Sequence, residues 1–347
     1  MKPKAWIGSR ALVAGSLPRA STRAVVRADL REGGRWTLVQ RAKNNVLWAL
    51  ASVILRALRP WSLPALRALG RVLGETAFVF ARAARRTATG NLACAMPAAD
   101  PRVRRALARR CFATLGESLA DTVALLAGRD PPKPLVLTDE ARATLERARV
   151  EGRGVLFASA HLGPWENVAA SLVAGGFPLV TLARESYDPR FSVLYDRLRR
   201  RTGVAVIWRA ERRSAFAILR TLRRGGVLGV PMDLRSRVPS IAAPFLGRPA
   251  ETAVGPARIA LRSGAAVVVG TAAPAGGAAG GARSTATAPA GGSALDTLVV
   301  TATRIETADL SADEIGVAAL TARINDELSR RILALPHAWV WMHPRWE

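Results

Sequence analysis

The chain has 347 residues, half of them apolar, which is enough for a sizeable core and too many for a disordered chain. With 51 Lys and Arg against 26 Asp and Glu it carries a net charge of +25, which favours anionic partners, while two tyrosines offer little surface for stacking bases. Cys94 and Cys111 stand in no metal-binding or redox spacing, which argues against a disulfide framework or a cysteine zinc site.

Residues 1–35 are basic and close on Gly33-Gly34, the texture of a poorly ordered N-terminus. Arg10 and Arg19 bracket only a short apolar stretch, so no secretory signal is expected. From Trp36 to Arg86 apolar residues recur at helical spacing, interrupted at Pro60 and Pro64 and studded with arginines (Arg56, Arg59, Arg67, Arg71, Arg82, Arg85, Arg86). The most apolar piece, Asn45 to Leu58, falls short of the roughly 20 residues that a span needs. Two readings fit it, an interfacial anchor with snorkelling arginines or a buried core helix. A further helix is expected from Asp100 to Ala127, ahead of the loop Arg129-Asp130-Pro131-Pro132. Residues 36–138 are accordingly read as a helical, membrane-associating region.

Past Asp139 short β-rich runs alternate with helical patterns. Strands are expected at Val155–Ala160, Leu179–Ala183, Val204–Trp208, Val227–Met232 and Ala265–Thr271, and helices at Pro164–Ala174, Pro189–Arg201 and Glu211–Arg224. That alternation predicts an α/β fold over 139–347, a mostly parallel central sheet covered by helices. Residues 274–294 are low-complexity and read as a loop between two late strands. Leu295–Ile305 alternates like an edge strand, and Ser311 with Glu314 resembles a capping box opening a helix to Leu335.

The densest chemical signal is Ala158-Ser-Ala-His161-Leu-Gly-Pro-Trp-Glu166-Asn167, where a strand ends and a helix begins. Ligands of open α/β sheets gather at the carboxyl ends of strands, which is where His161 falls. On one continuous helix His161 and Glu166 would diverge by about 140°, but Gly163-Pro164 breaks the helix and allows the carboxylate to reach the imidazole. Imidazole is suited to take a proton from an attacking hydroxyl near neutral pH, and a carboxylate on its other nitrogen would fix the tautomer. A plain helix N-terminus beside a core histidine also satisfies these residues.

The wider pattern decides more. HLGPWEN, Arg184 after a strand, Tyr195-Asp-Arg197, Val230-Pro-Met-Asp233, Ala243-Pro-Phe-Leu-Gly247, and Thr252 with Gly255 resemble the lipid A biosynthesis lauroyl/myristoyl acyltransferases, within the lysophospholipid acyltransferase superfamily. Arg86-Thr-Ala-Thr-Gly-Asn91-Leu, Met96-Pro97 and the ending Pro336-His-Ala-Trp-Val-Trp341-Met-His-Pro-Arg345-Trp346 extend the resemblance over Trp36 to Glu347. The resemblance implies a glycerol-3-phosphate-acyltransferase-like fold and transfer of a fatty acyl group, from an acyl carrier protein thioester or acyl-CoA, to a lipid A precursor hydroxyl. It implies neither cofactor nor metal, and a place on the cytoplasmic face of the inner membrane. A lysophospholipid, another glycolipid or an aminolipid is the alternative acceptor. A basic nucleic-acid-binding protein is the non-enzymatic alternative, disfavoured because no reading element is present.

By the same resemblance His161 is the general base and Glu166 its orienting partner. Arg197 is the better match to the family's essential arginine, with Arg184 competing. Asp233 is the acidic residue after the fourth strand, although Leu234 follows it where Gln or His is usual. Arg184, Asn167, Arg235 and Thr252 are the expected substrate contacts. His337 and His343 flank Trp339, Trp341 and Trp346 without metal-ligand spacing, which suits a packed C-terminal segment or interfacial rings, and Trp36, Trp48 and Trp61 suit the interfacial role at the other end.

Overall fold

Capping chemistry sets the helix boundaries of the N-terminal half. In the computed structural model, residues 35–346 are described except 128, 130–133, 152, 210–212, 236–237 and 276–293. The expectations for residues 1–34, and for most of the Arg129–Pro132 and 274–294 loops, lie outside the described residues. Helix α1 (Leu38–Leu58) opens on a capping box in which Thr37 and Gln40 satisfy each other's backbone N–H. Ser62 caps α2 (Leu63–Phe80), so Pro64 does not interrupt a helix as expected but occupies the first turn of one, where its missing N–H costs nothing. Helix α3 (Arg82–Ala95) follows at once, and Asp100 caps α4 (Pro101–Leu126). No helix among the described residues is long and apolar enough to cross a membrane.

The remaining elements are β1 (Val136–Leu137), α5 (Asp139–Val150), β2 (Val155–Ser159), α6 (Trp165–Ala174), β3 (Leu179–Ala183), α7 (Pro189–Arg201), β4 (Ala205–Trp208), α8 (Ser214–Arg223), β5 (Val227–Pro231), β6 (Ser240–Phe245), β7 (Arg248–Ala253), α9 (Gly255–Ser263), β8 (Ala266–Pro274), β9 (Leu298–Ile305) and α10 (Glu314–Ala334). The main sheet has the order β1-β9-β8-β2-β5-β3-β4. Five strands, β2, β3, β4, β5 and β8, run parallel, as continuous apolar runs predict. Strand β9 turns back antiparallel to β8, and the two-residue β1 pairs along its outer side, so β9 is not the edge strand expected. Helix α10 is capped by Asp313, whose carboxylate accepts the Gly316 N–H, rather than by Ser311.

The hairpin β6–β7 lies apart from the main sheet, and its turn places Leu246 and Gly247 both at positive φ. Such turns usually carry Asn-Gly or Asp-Gly. Leu246 tolerates the conformation here because its side chain is buried and its N–H donates to Ser329 Oγ. One apolar core joins the helical half to the sheet, with Phe78, Leu92 and Phe112 packed in the same cluster as Leu156, Val267 and Leu328.

Helices α2 and α4 approach most closely where glycines face each other. A Cβ at Gly116 would overlap the Gly70 carbonyl oxygen, and one at Gly74 would overlap that of Phe112. Between the same two helices lies an apolar cavity of about 340 Å³ whose lining includes Leu66, Leu73, Ala77, Phe112, Leu119 and Met342. Leu73 and Leu119 are themselves exposed, so the cavity opens to the surface.

Candidate active site

Strand register builds the centre of the site. Parallel neighbours β2 and β5 pair Ser159 with Pro231, and the Met232 N–H extends the ladder onto the Ser159 carbonyl. Two residues further along each chain stand His161 and Asp233, which therefore meet across the carboxyl ends of adjacent strands. Asp233 is fully buried. Its Oδ1 lies 2.9 Å from His161 Nδ1, and its Oδ2 accepts the His161 backbone N–H and the Trp339 indole N–H, each at 2.8 Å.

The imidazole partner is thus Asp233, where the sequence pointed to Glu166. Glu166 sits in the first turn of α6 and is held by Arg199 from the end of α7, through Nε to Oε2 at 3.1 Å and Nη2 to Oε1 at 2.7 Å. A two-point ion pair with arginine orients the Glu166 carboxylate, while Asp233 Oδ1 holds His161 Nδ1. Burial would lower the His161 pKa, but the Asp233 charge and hydrogen bond, supported by Glu166, outweigh burial and raise it. Burial would likewise raise that of Asp233, and the His161 charge and the three donors hold it below the usual carboxylate range. Nε2 of His161 bonds to no described residue, and the side chain keeps 26% of its surface exposed, so this nitrogen is open to an incoming group.

The other expected site residues scatter. Arg197 is exposed on the opposite side of α7 from Arg199, as a two-residue step on a helix requires, and Arg199 is the arginine that the fold brings to the site. Arg184 is exposed beyond β3, next to Arg209, whose pKa falls through burial and then through the Arg184 charge. Asn167 lies one residue past Glu166 on α6, where its carbonyl accepts the Ser171 hydroxyl. Arg235 is exposed in the loop after Asp233. Thr252 lies in the interior. It is fully buried and bonds Asn325 Nδ2 and Arg345 Nη2.

The C-terminal segment completes the site. Trp339 bridges to Leu162, the Ala338 carbonyl accepts the Gly163 N–H, and Asn91 donates to the Trp341 and His343 carbonyls. Trp339 and Trp341 are fully buried, which gives the packed-segment reading of this region. At the other end Trp36 stacks on Tyr187 and Trp48 meets Phe191 edge-on, while Trp61 stays exposed. Arg345 is buried with its guanidinium over Phe245, and burial lowers its pKa to about 10. Burial also lowers that of His337, to about 4. Among the described residues no cluster of His, Cys, Asp and Glu is placed to hold a metal ion. Sequence reasoning missed Arg199 and the Trp339 contact, since neither lies near His161 in sequence.

The family model for bacterial lipid A biosynthesis acyltransferases matches residues 37–347. The chain belongs to that family. Membership makes it an acyltransferase that needs an acyl donor and a lipid acceptor. No curated protein matches the chain. The residues the lipid A acyltransferase match covers include every element from α1 to the C-terminal segment, so the helical half and the sheet belong to one family unit.

Proposed function

We propose that this acyltransferase moves a fatty acyl group from an acyl carrier protein thioester, or acyl-CoA, onto a hydroxyl of a lipid A precursor at the cytoplasmic face of the inner membrane. The observation that carries the reading is the His161–Asp233 pair with Nε2 left open. Nε2 takes the proton of the acceptor hydroxyl while its oxygen bonds to the thioester carbonyl carbon. The tetrahedral oxyanion then collapses, the carbon–sulfur bond breaks, and the thiolate leaves with the proton from the imidazolium. Asp233 holds Nδ1–H and stabilises the imidazolium. Arg199, fixed by Glu166, is a cation whose field reaches the imidazole and opposes its protonation. It is the favoured counter-charge for the oxyanion.

The cavity between α2 and α4 suits the acyl chain, being apolar, open at one side and within the roughly 300–1,000 Å³ of small-ligand sites. Exposed Val39, Val46, Leu50 and Val53 on one face of α1, with Val72, Val79 and Phe80 on α2, suit an interfacial membrane contact beside the basic surface. The test supplies wild-type protein with acyl carrier protein charged with a radiolabelled acyl group and separate panels of lipid A precursors and lysophospholipids. Label in an ester of a lipid A precursor is expected. Label only in lysophospholipid products would replace the acceptor, and none in any lipid would remove the reading.

Because His161 must be neutral to act as a base, activity is lost as pH falls through its raised pKa. The acid limb of kcat is therefore expected above the ordinary imidazole value of about 6.5. A limb below that value would show that Asp233 does not hold the imidazole in solution. In the same assay Leu73→Trp, at the cavity mouth, is expected to shift donor preference to shorter chains. An unchanged chain-length profile would place the acyl chain elsewhere.

A further inference from the structure

Three donors converge on Asp233, and two come from His161 itself. The third is the indole N–H of Trp339, about a hundred residues away in sequence and fully buried. We propose that Trp339 is a positioning residue of this site, its N–H clamping the Asp233 carboxylate in the orientation that serves the imidazole. The inference rests on the reading of His161 as the base.

A buried carboxylate on a freely turning side-chain torsion has a broad orientational range unless donors fix both oxygens. The clamp is rigid because Trp339 is itself held on several sides. Its carbonyl accepts the Cys111 thiol at 2.8 Å, its backbone bridges to Leu162, and its ring packs against Phe245 at 5.7 Å. A neutral donor also suits the task. It keeps a buried carboxylate ionised without the full positive charge that would cancel the carboxylate's pull on the imidazolium. The charges around the pair are Glu166 and Arg199 on the His161 side, with His343 and Arg345 on the Asp233 side and Arg235 beyond them. The neighbouring Trp341 supplies a built-in contrast, since it is equally buried but donates its N–H to the Pro336 carbonyl.

The experiment uses full-length protein with 15N-labelled histidine. Its three histidines give three pairs of ring-nitrogen signals, and His161→Gln assigns the relevant pair. In Trp339→Phe, the carboxylate loses a donor and becomes more basic. The His161 titration midpoint is expected to rise by roughly half to one pH unit. In the transfer assay the same variant is expected to lose about ten- to a hundredfold in kcat, the size of one charge-assisted hydrogen bond, with KM for the donor held within about twofold. Trp341→Phe is expected to leave the midpoint in place. Replacing Trp339 by benzothienylalanine, which keeps the shape and swaps N–H for sulfur, repeats the test should Trp339→Phe not fold.

A midpoint that stays or falls in both Trp339 variants overturns the clamp, as does a Trp341→Phe shift equal to theirs. Because the titration needs no substrate, a shifted midpoint in a protein that transfers nothing supports the clamp while removing the acyl-transfer reading. Unshifted variants of an active enzyme do the reverse.

Discussion

Asp233→Asn is expected to lower kcat about 10⁴-fold, the loss seen when the orienting carboxylate of a histidine base becomes an amide. Two N–H donors point at Oδ2, from the His161 backbone and Trp339, so the amide must turn its carbonyl oxygen toward them. Its NH2 then faces Nδ1, which has to give up its proton and become an acceptor. The proton moves to Nε2, and the lone pair that takes the hydroxyl proton is gone. Adding His161→Ala to this variant is expected to cost little more, because the two residues act as a unit. Glu166→Gln leaves the tautomer alone and acts only through Arg199, so a smaller loss is expected. Steady-state kcat on one labelled donor compares the three. Full activity in Asp233→Asn with loss in Glu166→Gln would return Glu166 to the imidazole.

The largest expected effect on stability comes from Gly116→Ala. A methyl at Gly116 would overlap the Gly70 carbonyl oxygen, backbone against backbone, with no flexible side chain to move aside. Helices α2 and α4 would have to separate, and about 3 kcal/mol is the cost expected for overpacking of this kind. The cavity between them would change shape at the same time, so the chain-length profile is expected to shift together with Tm. Gly90→Ala is the contrast. Gly90 lies within α3 with nothing near its absent side chain, and Ala there is expected to stabilise by about 0.5–1 kcal/mol. Thermal unfolding of both variants checks the pair. Equal shifts of the same sign would mean that the α2–α4 contact is looser than the glycines require.

The elements of this chain were legible because each is a local matter. Apolar runs of strand length, proline and capping residues at helix starts, and the turn at Gly163-Pro164 all act within a few residues. The β3 boundaries and those of α7 agree with the sequence reading residue for residue. The hairpin β6–β7 was not legible, since Leu-Gly is a weak turn signal and only the buried Leu246 side chain and Ser329 stabilise it.

His161 was likewise readable, standing at a strand end before a helix start. Its partner was not. Strands β2 and β5 are neighbours in the sheet, yet β3 and β4 lie between them in sequence, so only sheet order brings Asp233 to Nδ1. Glu166 sits closer in sequence, but the Arg199 fork from another helix claims it. Sequence alone determined the family, the strand–helix alternation and the place of His161 at a strand end. Tertiary structure decided which carboxylate meets the His161 imidazole, which arginine holds Glu166, and that a C-terminal tryptophan donates to the same carboxylate. Local periodicity cannot carry that information, because strand register and long-range packing are set by which surfaces bury together.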